Sequence, residues 1–152
     1  MNAIELLKQD HETVRKLLEQ LSGTTERAVK TRQDLLQKIA QELTIHTQLE
    51  EQIFYPAFKK AGGKDAAIMD AEAREEHRAV DSLVMPDLLK TDPSSIAFTG
   101  RVKVLKELLE HHIEEEETDL FPEAEELLGE RLEELGQQME SMKRSMKLKK
   151  AS

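Results

Sequence analysis

Residues 46–56 read His46-Thr-Gln-Leu-Glu50-Glu51-Gln-Ile-Phe-Tyr55-Pro56, and residues 112–122 read His112-Ile-Glu-Glu-Glu116-Glu117-Thr-Asp-Leu-Phe121-Pro122. In a helix, residues four apart lie about 40° apart, one turn along on the same face. His46 and Glu50 therefore project together, as do His112 and Glu116. Leu36, Ile39 and Leu43 lead into the first stretch, and Phe98, Val102, Leu105 and Leu109 into the second, at steps of three and four. Each histidine and glutamate thus sits on a stripe that is otherwise apolar and core-facing.

Outward from these stretches the chain repeats itself at an offset of 66 residues (His11 to His77, His46 to His112). Asp10-His11 matches Glu76-His77, Val14 matches Val80, Glu50-Glu51 matches Glu116-Glu117, and Pro56 matches Pro122. Each half reads as a helical hairpin: one histidine on its first helix, His-x-x-x-Glu on its second. The periodicity predicts helices over about 3–21, 25–60, 65–90 and 95–128, with Asn2 capping the first. Pro56, Pro86 and Pro122 are expected to kink or loosen the helices that contain them. Gly129 marks a stop before a fifth helix over about 130–148. The expected fold is all-α, an up-down-up-down four-helix bundle with an extra C-terminal helix. Residues 1–128 form the bundle, and 129–152 the added helix and basic tail. Leu132, Leu135, Met139, Met142 and Met146 give that helix an apolar side, read as packing on the bundle in preference to a soft partner surface. Lys143, Arg144, Lys147, Lys149 and Lys150 are read as a solvated, fraying end, with a docking tail for an acidic partner as the alternative.

Bulk composition narrows the function classes. The chain has no cysteine, which removes thiolate metal sites, disulfides and thiol catalysis. Its net charge of −9 argues against general nucleic-acid binding, which wants a basic footprint. No apolar run approaches a membrane span, and the first residues carry charges where a secretory signal would be apolar, so the expected location is the cytoplasm.

His11 and His77 also lie on inner stripes, so His11, His46, Glu50, His77, His112 and Glu116 converge in one layer. A lone histidine on an apolar stripe is usually a hydrogen-bonded core residue; four at matched positions are not so easily dismissed. Burying two carboxylates without compensation costs several kcal/mol each, on the order of the general desolvation penalty. No lysine or arginine stands on the same stripes to neutralise them. A cation is the economical solution, and mixed imidazole and carboxylate ligands suit iron, manganese or zinc. Carboxylates from opposite helices can bridge two ions, as in carboxylate-bridged bundles. Glu51 and Glu117 remain alternatives to Glu50 and Glu116, and His111 is expected to be exposed or to touch a ligand from outside. Tyr55, five after Glu50, falls off the ideal stripe; it is expected to pack with Phe54 and Phe58, unless Pro56 swings it inward as a ligand.

The order His, His-x-x-x-Glu, His, His-x-x-x-Glu, carried by Asp10-His11, His46 to Pro56, Glu76-His77 and His112 to Pro122, resembles the hemerythrin-like, or HHE cation-binding, domain over roughly residues 3–128. The resemblance implies the hemerythrin bundle, and His11, His46, Glu50, His77, His112 and Glu116 as ligands of two non-haem iron ions, carboxylate-bridged with an oxo or hydroxo bridge. The chain departs from the oxygen carriers of that family. They place a second histidine on the third helix, where Ala73 stands here, and an aspartate on the fourth, where Glu117 stands. Relatives of the HHE type are associated with sensing iron or oxygen, with nitric oxide and peroxide stress, and with repair of damaged iron centres. The leading expectation is a protein that binds or senses oxygen, peroxide or nitric oxide, or handles iron under stress. A di-iron enzyme acting on peroxide or oxygen and a metal-free helical interaction module are the alternatives.

Overall fold

The computed structural model describes residues 1–151, with side chains through Lys149. It is all helical: α1 (Ala3–Ser22), α2 (29–61), α3 (64–89), α4 (96–128) and α5 (Arg131–Ala151). The first four run up-down-up-down, and α5 lies across α1 and α2. Asn2 closes a capping box on α1: its side chain accepts from the Glu5 N–H at 2.9 Å, and Glu5 accepts from the Asn2 N–H. Ser95 caps α4 by accepting from the Phe98 N–H at 3.1 Å.

The second helix starts at Val29, four residues later than the sequence pattern suggests. Arg32 supplies a reason. Its buried guanidinium donates to Thr24 Oγ1, to the Thr24 and Pro93 carbonyls and to Thr99 Oγ1, and lies 5.0 Å from the Phe98 ring centre. This holds the Thr24 and Pro93 turns together at one end of the bundle, so the 24–28 segment is committed to a loop.

The prolines act upstream of themselves. α2, α3 and α4 each contain one π-turn, at Glu50–Phe54, Val80–Val84 and Glu116–Leu120, and Pro56, Pro86 and Pro122 each stand two residues past its end. Proline has no N–H for the carbonyl four back and its ring crowds that carbonyl, so a widened turn before it relieves the conflict.

Two apolar clusters fill the interior. Val14, Leu18, Ile39, Leu43, Leu88, Phe98 and Leu105 belong to one. Leu7, Leu49, Phe54, Phe58, Phe121 and Leu128 belong to the other, which α5 covers with Leu132, Leu135 and Met139. Met142 and Met146 are half-buried against the same cluster, so the methionine stripe is packing. Gly136 lets α5 come this close, because a Cβ there would collide with the Met1 and Asn2 backbone. The basic run is not uniformly a solvated end, as the sequence suggested: Lys143 is half-buried and bonded to Asp10, while Arg144 and Lys147 are exposed. The Lys150 side chain and Ser152 lie outside the described residues.

Candidate metal centre

Between the two apolar clusters lies one polar layer. α1 contributes His11, α2 His46 and Glu50, α3 His77, and α4 His112 and Glu116; all six are buried, Glu50 completely at 0% exposure. The i,i+4 pairs come together as helix geometry requires, with His46 Nε2 3.2 Å from Glu50 Oε1 and His112 Nε2 3.5 Å from Glu116 Oε1. Across the bundle, His77 Nε2 stands 3.0 Å from Glu50 Oε1, and His11 Nε2 3.1 Å from Glu116 Oε1. His77 Nε2 and His112 Nε2 face each other at 3.2 Å. Four ligand atoms, one each from His11, His46, Glu50 and Glu116, lie within 4.8 Å of one another, and so do atoms of Glu50, His77 and His112.

Four further carboxylates hold the imidazoles from outside. His11 Nδ1 meets Glu117 Oε2 at 2.7 Å, His46 Nδ1 meets Asp10 Oδ2 at 3.0 Å, His77 Nδ1 meets Glu51 Oε2 at 2.6 Å, and His112 Nδ1 meets Glu76 Oε1 at 2.6 Å. An ionised carboxylate only accepts, so every Nδ1 is the protonated donor and every Nε2 points its remaining valence inward. Sequence reasoning did not assign this role to Asp10 and Glu76, and offered Glu51 and Glu117 only as alternative inner residues. The signal was present: each is the sequence neighbour of an inner residue, and the repeat pairs Asp10 with Glu76 and Glu51 with Glu117.

The π-turns set the register. Glu50 and Glu116 begin them, and the Tyr55 and Phe121 N–H groups close on the Glu50 and Glu116 carbonyls. Residues five apart thereby share a face. Phe121 stacks on His11 at 5.7 Å, and Tyr55 on His77 at 5.6 Å. Tyr55 therefore does more than pack at the bundle end as expected. Its ring does neighbour Phe54, but its hydroxyl enters the layer and donates to Glu116 Oε2 at 2.5 Å. His111 is exposed, 3.1 Å from Glu115 and 3.8 Å from the Glu76 that holds His112.

The layer is electrostatically tense. Burial disfavours a charged His77, yet Glu50 and Glu51 outweigh it and raise its pKa to about 10. Burial likewise opposes charge on His46 and His11, and Glu50 with Asp10, and Glu116 with Glu117, raise them nonetheless. For Glu50, burial is overcome by His46 and its neighbours, which hold the carboxyl well below its ordinary range. Burial and the nearby Glu116 and Glu50 push the Tyr55 phenol well above its ordinary value. His46 Nε2 and Glu50 Oε1 stand 3.2 Å apart without hydrogen-bond alignment, and neither they nor Glu50 Oε2 have a hydrogen-bond partner among the described residues. Converging imidazole nitrogens and carboxylate oxygens, with buried acceptors unsatisfied, fit a cation better than they fit one another.

The profile of the hemerythrin HHE cation-binding domain matches residues 2–124. The chain is a member of the hemerythrin HHE cation-binding family. It is 34% identical over 122 residues to the Mycobacterium tuberculosis protein Rv2633c, covering 80% of this chain and 71% of that one. A crystal structure of the Rv2633c homolog from Mycobacterium kansasii, an HHE cation-binding domain-containing protein, superposes with a TM-score of 0.83 at 31% identity, over 96% of this chain and 87% of that one. At 24% identity, 80% of this chain also matches a third of a DNA nickase from Nostoc, so similar sequence occurs within a longer protein.

Two cavities border the HHE centre. A small pocket of about 20 Å³ lies between the four histidines and the apolar Val14, Leu43, Val80, Leu109 and Ile113, with Thr47, Glu76 and Asp81 also at its wall. That is room for one water-sized molecule. On another side, a cleft of about 180 Å³ runs past Ala73, Glu76 and Glu115 to His112 and Glu116. It opens where the oxygen carriers would place their extra histidine.

Proposed function

We propose that this domain holds two iron ions and binds or senses a small oxidant such as oxygen, peroxide or nitric oxide, or handles iron under oxidative or nitrosative stress. His11 and His46 serve one ion, His77 and His112 the other, and Glu50 and Glu116 lie between the two groups. The observation that carries this reading is the orientation of the four imidazoles: an outer carboxylate on each Nδ1 leaves each Nε2 aimed at the two inner carboxylates. Nitrogen and oxygen donors alone also suit manganese or zinc; iron is favoured by the likeness to hemerythrins. Bound iron would supply a Lewis-acidic, redox-active centre. The 20 Å³ pocket beside the histidines supports a ligand of about the size of water, such as a diatomic. Ala73 removes one imidazole, and Tyr55, with its oxygen on Glu116, is the side chain placed to substitute as a phenolate.

Protein purified from iron-supplemented cells is expected to carry two irons per chain and to show near-ultraviolet absorption of an oxo-bridged pair. Less than one iron per chain, with no further uptake on reconstitution, would overturn the proposal. Tyr55 also favours a second reading, an enzyme that consumes peroxide or oxygen, because its O–H places a proton beside Glu116. Peroxide loss faster than with free iron, and slowed in Tyr55→Phe, supports the enzyme; loss no faster than with free iron dismisses it.

A further inference from the structure

The two halves of the layer match closely until the outer carboxylates are compared. His11, Phe121 and Glu117 repeat as His77, Tyr55 and Glu51, and Asp10 on His46 repeats as Glu76 on His112. Among the described residues, Asp10 alone of the four has an oxygen hydrogen-bonded to a cation from beyond the repeat; Glu117 and Glu51, one in each half, face Arg15 and Arg74 at the longer distances of 3.7 and 3.6 Å. Lys143, on α5, places Nζ 2.5 Å from Asp10 Oδ1, while Asp10 Oδ2 serves His46. Asp10 is 3% exposed. Its counterpart Glu76 is more open to water, and its second oxygen faces the exposed His111 at 3.8 Å, with Glu115 beside them, and no lysine or arginine pairs with it among the described residues. The bonds differ accordingly. The Nδ1 to carboxylate distance is 3.0 Å at His46, against 2.6 to 2.7 Å at the other three histidines.

Resting on the two-ion reading above, we propose that Lys143 is a positioning residue that makes the two metal positions unequal. A lysine ammonium shared with Asp10 withdraws charge from the carboxylate, which weakens the pull on the His46 N–H and makes His46 a poorer donor. The same fixed positive charge acts directly on a cation a few ångströms further in, through a dry interior that screens it little. Both effects have one sign. The ion held by His46 binds less tightly and is reduced more easily than the ion held by His112. The fifth helix is thus part of the centre's electrostatics, joined to it by one side chain.

The test uses the full-length protein, stripped of metal and titrated anaerobically with ferrous ion, then examined by potentiometric titration of the iron-loaded form. In Lys143→Met, one of the two ions is expected to bind about tenfold tighter, with the other, farther from the lost charge, changed clearly less, in line with the tenfold to hundredfold effects of groups that orient metal ligands. The same ion is expected to show a lower reduction potential. Lys143→Arg keeps the charge and restores wild-type behaviour. Lys147→Met removes one charge from an exposed position of the same helix, changes neither affinity more than about twofold and leaves the potentials in place, as screening requires. Weaker binding in Lys143→Met, equal change at both ions, or agreement with Lys147→Met would each overturn the inference while leaving the two-ion centre standing. Should Lys143→Met unseat α5, seen as a lowered melting temperature, Lys143→Gln carries the comparison, since it retains a donor to Asp10 without the charge. Wild-type affinities in that variant overturn the role of charge. A wild type that takes up no second ion overturns the two-ion reading itself, and this inference with it.

Discussion

Each imidazole in the polar layer is gripped at Nδ1, and this decides how single substitutions behave. His46→Ala removes one inner nitrogen but leaves α2 with its apolar contacts, so helicity by circular dichroism is expected to persist while iron content falls. Protons and metal compete for the same Nε2 atoms. In the metal-free protein, His77 is raised to about 10 from an ordinary 6.5. A raised folded-state pKa gives stability that is fully present below the unfolded value and lost as pH rises through the folded one. The melting temperature of metal-free protein should therefore decline between about pH 6.5 and pH 10, the window set by that shift, and His77→Gln should flatten the decline. Loaded protein is expected to behave oppositely at the acid end, since acid protonates the ligands and releases the ion. A melting temperature independent of pH across this window in metal-free protein would contradict the assignment. Tyr55→Phe tests phenolate ligation: the iron-loaded wild type should show a visible charge-transfer band that the variant lacks, and identical spectra would remove Tyr55 from the ligand set.

At the scale of elements, the helices and their inner faces were legible because apolar residues recur at steps of three and four, and the histidines and glutamates interrupt that pattern in register. The π-turns were not. Pro56 and Pro122 advertise a disturbance, but whether the chain kinks, frays or widens depends on what packs against it. Widening is what brings Tyr55 onto the Glu50 face, and a fixed 3.6-residue period cannot foresee it. The late start of α2 was hidden similarly, since Arg32 ties the nearby Thr24 to Pro93 and Thr99, 61 and 67 residues away. Lys143 left no mark in the sequence, because its bond to Asp10 joins residues 133 apart through the docking of α5. That docking has a specific weak point at Gly136. Gly136→Ala drives a methyl into the Met1 and Asn2 backbone. Overpacking of this kind costs about 1–3 kcal/mol, to be read as a lowered melting temperature; an unchanged value would show that α5 is free to shift. Met139→Ala should cost about 2–5 kcal/mol as a buried large-to-small change.

Across the whole molecule, a layer of acids and imidazoles separates two apolar clusters, and no helix among the described residues is long and apolar enough to cross a membrane. Each cluster has packed side chains of its own, so the bundle is expected to remain helical without metal. A cation in the layer would neutralise the buried carboxylates and, since its ligands converge only in the folded chain, bind that state more tightly and raise stability by mass action. Chelation should lower the melting temperature while preserving the helical signal. The six inner residues could be read from spacing, because the repeat writes the pattern twice, and the family from the resemblance of that motif order to the HHE domain. Ala73 and Tyr55 already stood out in the sequence, but where the Tyr55 hydroxyl goes and the reach of Lys143 to Asp10 required coordinates.

Elemental analysis of iron per chain, on wild type and His46→Ala prepared side by side from iron-supplemented cells, tests the central claim most directly. Two irons in the wild type and a clear loss in the folded variant are the predicted result. Well under one iron in a folded wild type that cannot be reconstituted would contradict the account.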